Sequence, residues 1–171
     1  VLLEASKTAH CPAWNHLQVM AKSGVIGDII DVKVSLSKLM YDIKTREFDV
    51  SQAGGSMTEL SPLPLMAIIR LLGMDYRDLF FCTKMQEGVD VYTKGNLVYD
   101  NAVASFTLGL GVKTEGNLVV SGTKGYILAS SPWWLTNYFE VCFEDQNRNK
   151  KYFYLVIKKN IKRKSHILII E

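Results

Sequence analysis

The chain has 171 residues, 48% hydrophobic and 22% charged, a balance that excludes a disordered or low-complexity protein and suits one domain, two at the outside. The formal charge is +3, yet residues 1–147 carry twelve Lys or Arg against sixteen Asp or Glu, a net of −4. Residues 148–171 carry eight against one, a net of +7, so the basic excess belongs to the terminus and argues against a nucleic-acid binder.

Residues 1–4 read as a short buried strand. Pro12 suits the first turn of a helix whose inner face holds Trp14, Leu17, Met20 and Ala21. Gly24 ends that helix, and Lys22 stands in its last turn, where a cation favours the dipole. From 29 to 39, Ile30, Val32, Val34 and Leu36 alternate with Asp31, Lys33 and Ser35, the pattern of a strand with one wet face. Residues 41–52 form a polar loop. A second helix follows Gly54-Gly55, with Leu60, Pro64, Ala67, Ile68 and Leu71 inward and Gly73 at its end. Pro62 and Pro64 require either an irregular first turn or a helix that starts near Pro62 with Ser61 as its cap.

Beyond Asp75 the pattern is of strands, at 79–85, 89–93, 97–99, 102–110, 117–121, 125–129, 138–144 and 152–156. Gly95-Asn96, Thr123-Lys124 and 146–149 read as the turns between them. Two early helices and a late run of hairpins predict an α+β fold, an open, mainly antiparallel β-sheet with helices packed on one face.

Three cysteines, Cys11, Cys82 and Cys142, lie 71 and 60 residues apart, a spacing that suggests reduced thiols rather than a disulfide framework or a zinc site. The longest apolar run, 63–69, has seven residues, far below a membrane span. No leader pattern is visible, and the chain opens without Met, so it reads as a fragment or as a product entered mid-sequence; with its reduced thiols the expected location is cytoplasmic. Gly109, Gly111 and Gly116 depart from the dinucleotide-binding spacing and sit between strands, where they read as turn residues. His10, Cys11 and His16 lack a fourth ligand cluster, which favours structural roles over a metal site. Trp133-Trp134 after Pro132 could stack a base or a sugar, but reads better as packing at a sheet edge.

Chemistry concentrates elsewhere. Two glycines opening a helix leave free N–H groups and permit close approach to a ligand, and Glu59 follows one turn later. The run from Ala53-Gly54-Gly55 through Glu59 to Leu71-Leu72-Gly73 resembles the glycine cluster, acid and "LLG" of the Gfo/Idh/MocA family of NAD(P)-dependent oxidoreductases. Glu4-Ala5, Pro12-Ala13-Trp14 and the run from Ser23-Gly24 to Gly27-Asp28-Ile29 resemble that family's opening. Ser121-Gly122-Thr123-Lys124-Gly125 resembles its "GTKG" hairpin, and Arg46-Glu47-Phe48-Asp49 falls where relatives place substrate-facing residues. The similarity covers about residues 1–154.

The resemblance implies the C-terminal, substrate-shaping domain of a two-domain enzyme that exchanges hydride at a sugar or polyol carbon. The N-terminal Rossmann domain of relatives binds NAD or NADP and supplies a catalytic lysine; neither its Glu-Lys-Pro motif nor its phosphate-binding glycines occur here. Leu63 stands at the position of the family's catalytic histidine and cannot take a proton. No catalytic residue, no metal and no cofactor are therefore expected for this chain alone, and NAD or NADP is implied only for intact relatives.

Lys7, His10, Arg46 and Glu59 are the candidate substrate-binding residues. Lys7 and His10 either hydrogen-bond substrate hydroxyls or a phosphate, or are exposed groups at a helix start. Arg46 either pairs an anionic substrate group or is a solvated loop arginine. Glu59 either holds a hydroxyl or caps backbone donors in its helix. A homo-oligomer through the open sheet face is the expected assembly, with a separate or missing Rossmann domain as a further partner. Non-catalytic oligomerisation or interaction is the alternative function. Residues 155–171, rich in Ile, Lys and Asn, lose the resemblance and form a basic divergent tail, read either as the product of a frameshift or truncation or as a basic arm attracted to nucleic acid or membrane.

Overall fold

The structure, a computed structural model, describes residues 7–42, 44–156 and 167–170; the strand expected at 1–4 lies outside the described residues. Helix α1 spans Pro12–Lys22, with proline in the first turn, where its absent N–H leaves no gap. Ala13, Trp14, Leu17 and Ala21 are buried along one stripe, as the helical period requires. Strand β1, Ile29–Lys38, turns Val32, Val34 and Leu36 inward and Lys33 outward. Ile30 departs from the expected alternation and is 45% exposed, because pairing with the neighbouring strand slips between Ile29 and Asp31.

The polar loop contains two short 3-10 turns, Arg46–Phe48 and Val50–Gln52. The proline-interrupted helix divides into α2, Ser56–Leu60, and α3, Pro62–Leu72. Regular helix does begin at Pro62, but the Ser61 side chain makes no capping bond. The remaining elements are β2 (Asp78–Gln86), β3 (Val89–Val98), β4 (Val103–Leu110), β5 (Leu118–Gly122), β6 (Tyr126–Ala129), β7 (Tyr138–Cys142), β8 (Lys150–Val156) and β9 (Ile167–Ile170).

These strands form one sheet in the order β2-β3-β4-β1-β5-β6-β7-β8-β9. Only β1 and β4 run parallel; every other neighbouring pair among the described residues is antiparallel. Helix α3 packs on β1 and β4, α2 on β3 and β4, and α1 on β7 and β8. The core lies between these helices and the sheet and includes Leu17, Ile68, Val32, Phe106, Leu108, Leu118 and Phe139. Each such burial is worth about 1.5–3 kcal/mol over exposure. The opposite face is wet, with Lys33 and Lys94 exposed at its middle. The fold is thus α+β with helices on one side of an open, mostly antiparallel sheet.

Gly95-Asn96 does not form a turn; both lie inside the continuous strand β3. Gly95 pairs with Phe106 across β3 and β4, and a Cβ at Gly95 would come within 2.2 Å of that ring. The glycine makes room for an aromatic side chain, so the chain needs no reversal there. Strand β8 runs across residue 154, and β9 extends the sheet by pairing with it, Phe153 opposite Ile170. No helix among the described residues is long and apolar enough to cross a membrane.

Candidate functional site

A cleft of about 470 Å³ opens where α2 and α3 meet the end of β1 and the turn that follows β6. Glu59, Leu63 and Met66 form one wall, Trp134 and Leu135 the other, and Lys7 stands at the entrance. Its walls are locked by hydrogen bonds from distant parts of the chain. Trp133 is fully buried and its Nε1 donates to the Ser35 carbonyl at 3.0 Å. Ser35 Oγ in turn accepts from the backbone N–H groups of Gly116 at 2.9 Å and Asn117 at 3.2 Å. Thr8 Oγ1 donates to the Trp134 carbonyl at 2.8 Å, and Cys11 Sγ to that of Thr136 at 3.0 Å. The entrance beside Lys7 is therefore tied directly to the Trp wall.

Glu59 is held by Arg46, whose Nη2 lies 2.8 Å and 2.9 Å from its two carboxylate oxygens. The Glu59 side chain is 17% exposed and that of Arg46 53%, so the pair bridges the cleft wall and the solvent above it. The loop that delivers Arg46 is itself anchored. Lys38 Nζ contacts Glu47 Oε1 at 2.8 Å, and this hydrogen bond is the main reason the Glu47 carboxyl titrates at about 2 instead of 4.5.

The glycines of the cluster make close approaches, but to the chain itself. A Cβ on Gly54 would meet the carbonyl oxygens of Glu47 at 2.6 Å and Arg46 at 2.7 Å. One on Gly55 would meet Asp90 Oδ1 at 2.0 Å. Asp90 of β3 is the group that satisfies the start of α2: its Oδ2 accepts from the Met57 N–H at 2.7 Å and from Ser56 Oγ at 2.6 Å. Capping is thus the work of Asp90, and Glu59 remains free to pair with Arg46. The sequence reading missed Asp90, which lies 34 positions from Ser56 in a run of ordinary strand alternation and gives no local signal.

The cleft brings Lys7 and Glu59 together, with Arg46 joined to them through its ion pair. His10 is exposed at the end of the 3-10 turn Thr8–His10 and does not line the cleft. Leu63, at the position the resemblance gives to a histidine, does line it. The His10-Cys11-His16 group is dispersed: His16 lies edge-on to Tyr152 at 5.1 Å, and its Nδ1 shares a hydrogen bond with the Tyr154 hydroxyl. Among the described residues no three His, Cys, Asp or Glu side chains are placed to hold a metal. Gly109 is inside β4, and Gly111 and Gly116 shape the connection to β5, each with φ of 71°.

No family model and no curated protein sequence matches the chain. Solved structures do match its fold. An NAD-binding oxidoreductase from Klebsiella pneumoniae superposes with a TM-score of 0.74 at 15% identity, over 87% of this chain and 46% of that one. An aldose-aldose oxidoreductase from Caulobacter crescentus, complexed with glycerol, gives 0.72 at 15% identity over 93% and 48%. A 3-ketoreductase from Actinomadura kijaniata, in complex with TDP-benzene and NADP, gives 0.70 at 19% identity over 90% and 47%. The chain therefore spans about half the length of the oxidoreductases whose fold it shares.

Proposed function

We propose that this chain is the substrate-side domain of an NAD(P)-dependent oxidoreductase acting on a sugar or polyol, and that it is inactive by itself. The meeting of Lys7, Glu59 and Leu63 in one cleft, in a fold shared with such enzymes, carries the reading. Lys7 offers three donors to hydroxyl oxygens at the entrance. The Glu59 carboxylate accepts from hydroxyls, and Arg46 fixes its orientation. Trp134 and Leu63 present apolar surface to the C–H face of a ring.

A nicotinamide dinucleotide would need a strand, a glycine turn and a helix N-terminus to cradle its pyrophosphate. Gly109 lies within a strand, and Gly111 and Gly116 lead into another strand, so these glycines do not fit that task. Leucine at position 63 removes a proton-transfer group, worth typically about 10²–10⁴-fold in rate. A nucleotide-binding half, on the same or another chain, would have to supply both the cofactor and the acid-base group.

Two titrations test this. Calorimetry with NADH is expected to show no saturable heat, and a saturable isotherm would overturn the expectation that this chain by itself does not bind the cofactor. Sorbitol, followed by Trp fluorescence, is expected to give a saturable change from Trp134 that Lys7→Met abolishes. A response unaltered in that variant would remove Lys7 from the site.

A further inference from the structure

Among the described residues strand β2 is one edge of the sheet and is bonded only to β3. All of its residues but Leu79 are exposed, including Phe80 at 50% and Phe81 at 47%. A nine-residue edge with two exposed phenylalanines, whose outer side no other described strand covers and whose Leu79 N–H is taken by Asp78 Oδ1 at 2.8 Å, is a template for another strand. Natural edges are usually blunted by charges or prolines along their length. Here the stretch in regular register with β3, from Asp78 to Lys84, has its only charges at its two ends, with opposite signs; the register shifts after Lys84. Neither Asp78 nor Lys84 makes an ion pair among the described residues.

We infer that β2 is a self-pairing surface: a second copy of this chain adds its own β2 antiparallel to this one, about a two-fold axis at Phe81. In that register Asp78 faces the partner's Lys84 twice over, once on each side of the axis. Phe80 faces the partner's Cys82, Leu79 the partner's Thr83, and Phe81 its own counterpart. Directly opposed aromatic and opposite-charge pairs are the contacts that stabilise antiparallel strands. Centring on Cys82 instead would set Lys84 against Phe80, and Asp78 against Gln86 beyond the register shift, leaving both charges without a partner. Because the arrangement is isologous it closes at two copies. It uses a different surface from the wet sheet face and does not depend on the oxidoreductase reading.

Light scattering across a concentration series of the full chain tests the inference, with charge exchange as the specific readout. The unaltered chain is expected to associate in pairs. Lys84→Asp sets two pairs of carboxylates against each other and should weaken association roughly ten- to thirtyfold, and Asp78→Lys should do the same with two pairs of ammonium groups. The double exchange, Asp78→Lys with Lys84→Asp, should restore it. Ser105→Arg, on the wet face at β4, should leave this pairing intact. A monomeric chain overturns the inference, as does association that Lys84→Asp leaves unmoved, or a double exchange weaker than either single change. Dissociation by Ser105→Arg alone would also overturn it, in favour of the wet face.

Discussion

Gly95 and Glu47 show how single residues set local shape, one inside the sheet and one in the loop that delivers Arg46. Phe106 crosses from β4 into the space above Gly95 and is almost fully buried there. Gly95→Ala must displace that ring, because the added carbon would stand 2.2 Å from it. Overpacking of this kind costs about 1–3 kcal/mol, to be read as a lower urea midpoint with an unchanged slope. Glu47 makes a prediction about pH. Its carboxyl is held at about 2, below the ordinary 4.5, first by the Lys38 hydrogen bond and then by bonds to its own turn. A depressed carboxyl contributes stability that is present above pH 4.5 and lost as pH falls from there through about 2. NMR titration should place the Glu47 midpoint near 2, and Lys38→Met should move it up toward 4.5. The same loop carries Arg46, so its release at low pH should also loosen the hold on Glu59.

At the scale of elements, α2 depends on a strand for its start. It is only five residues long, too short to be stable alone. Asp90 supplies what the helix lacks, accepting from the Met57 N–H and from the buried Ser56 hydroxyl. Asp90→Ala strands the Met57 N–H and leaves the Ser56 hydroxyl only Thr93 Oγ1, 3.0 Å away, and loss of charged hydrogen bonds at a partly buried site should cost about 2–3 kcal/mol. Hydrogen exchange should show the loss concentrated at residues 56–60, with β7 and β8 unchanged. Uniform loss across the sheet would show that Asp90 supports the whole fold and not α2 in particular. The opposite case is α1, which is legible from its sequence because the stripe of Ala13, Trp14, Leu17 and Ala21 is periodic and local.

For the whole molecule, the terminus is where the sequence resemblance stops and the sheet does not. The resemblance fades after residue 154, while β9 still pairs with β8. If residues 155–171 are an addition to a complete domain, a chain ending at Tyr154 should keep a single cooperative thermal transition by circular dichroism. Loss of that transition would make the last strand part of the fold.

Composition, alternation and the glycine and proline breaks were enough by themselves to determine the α+β class, the positions of the helices and most strand limits. Those signals repeat every two or every 3.6 residues, so a short window contains them. The expectation of a turn at Gly95-Asn96 failed because the reason for that glycine, Phe106, lies on another strand. Only the tertiary structure decided that β1 lies parallel to β4, that Asp90 rather than Glu59 caps α2, and that Lys7 and the Arg46–Glu59 pair share a cleft from which His10 is absent. Each of those contacts joins groups outside one another's local repeat, and the chain records no period between them. The charge division had the same character: the sequence located the basic excess at the terminus, but only the fold shows that Asp78 and Lys84 stand exposed on the edge strand β2 with opposite charges and no ion pair among the described residues.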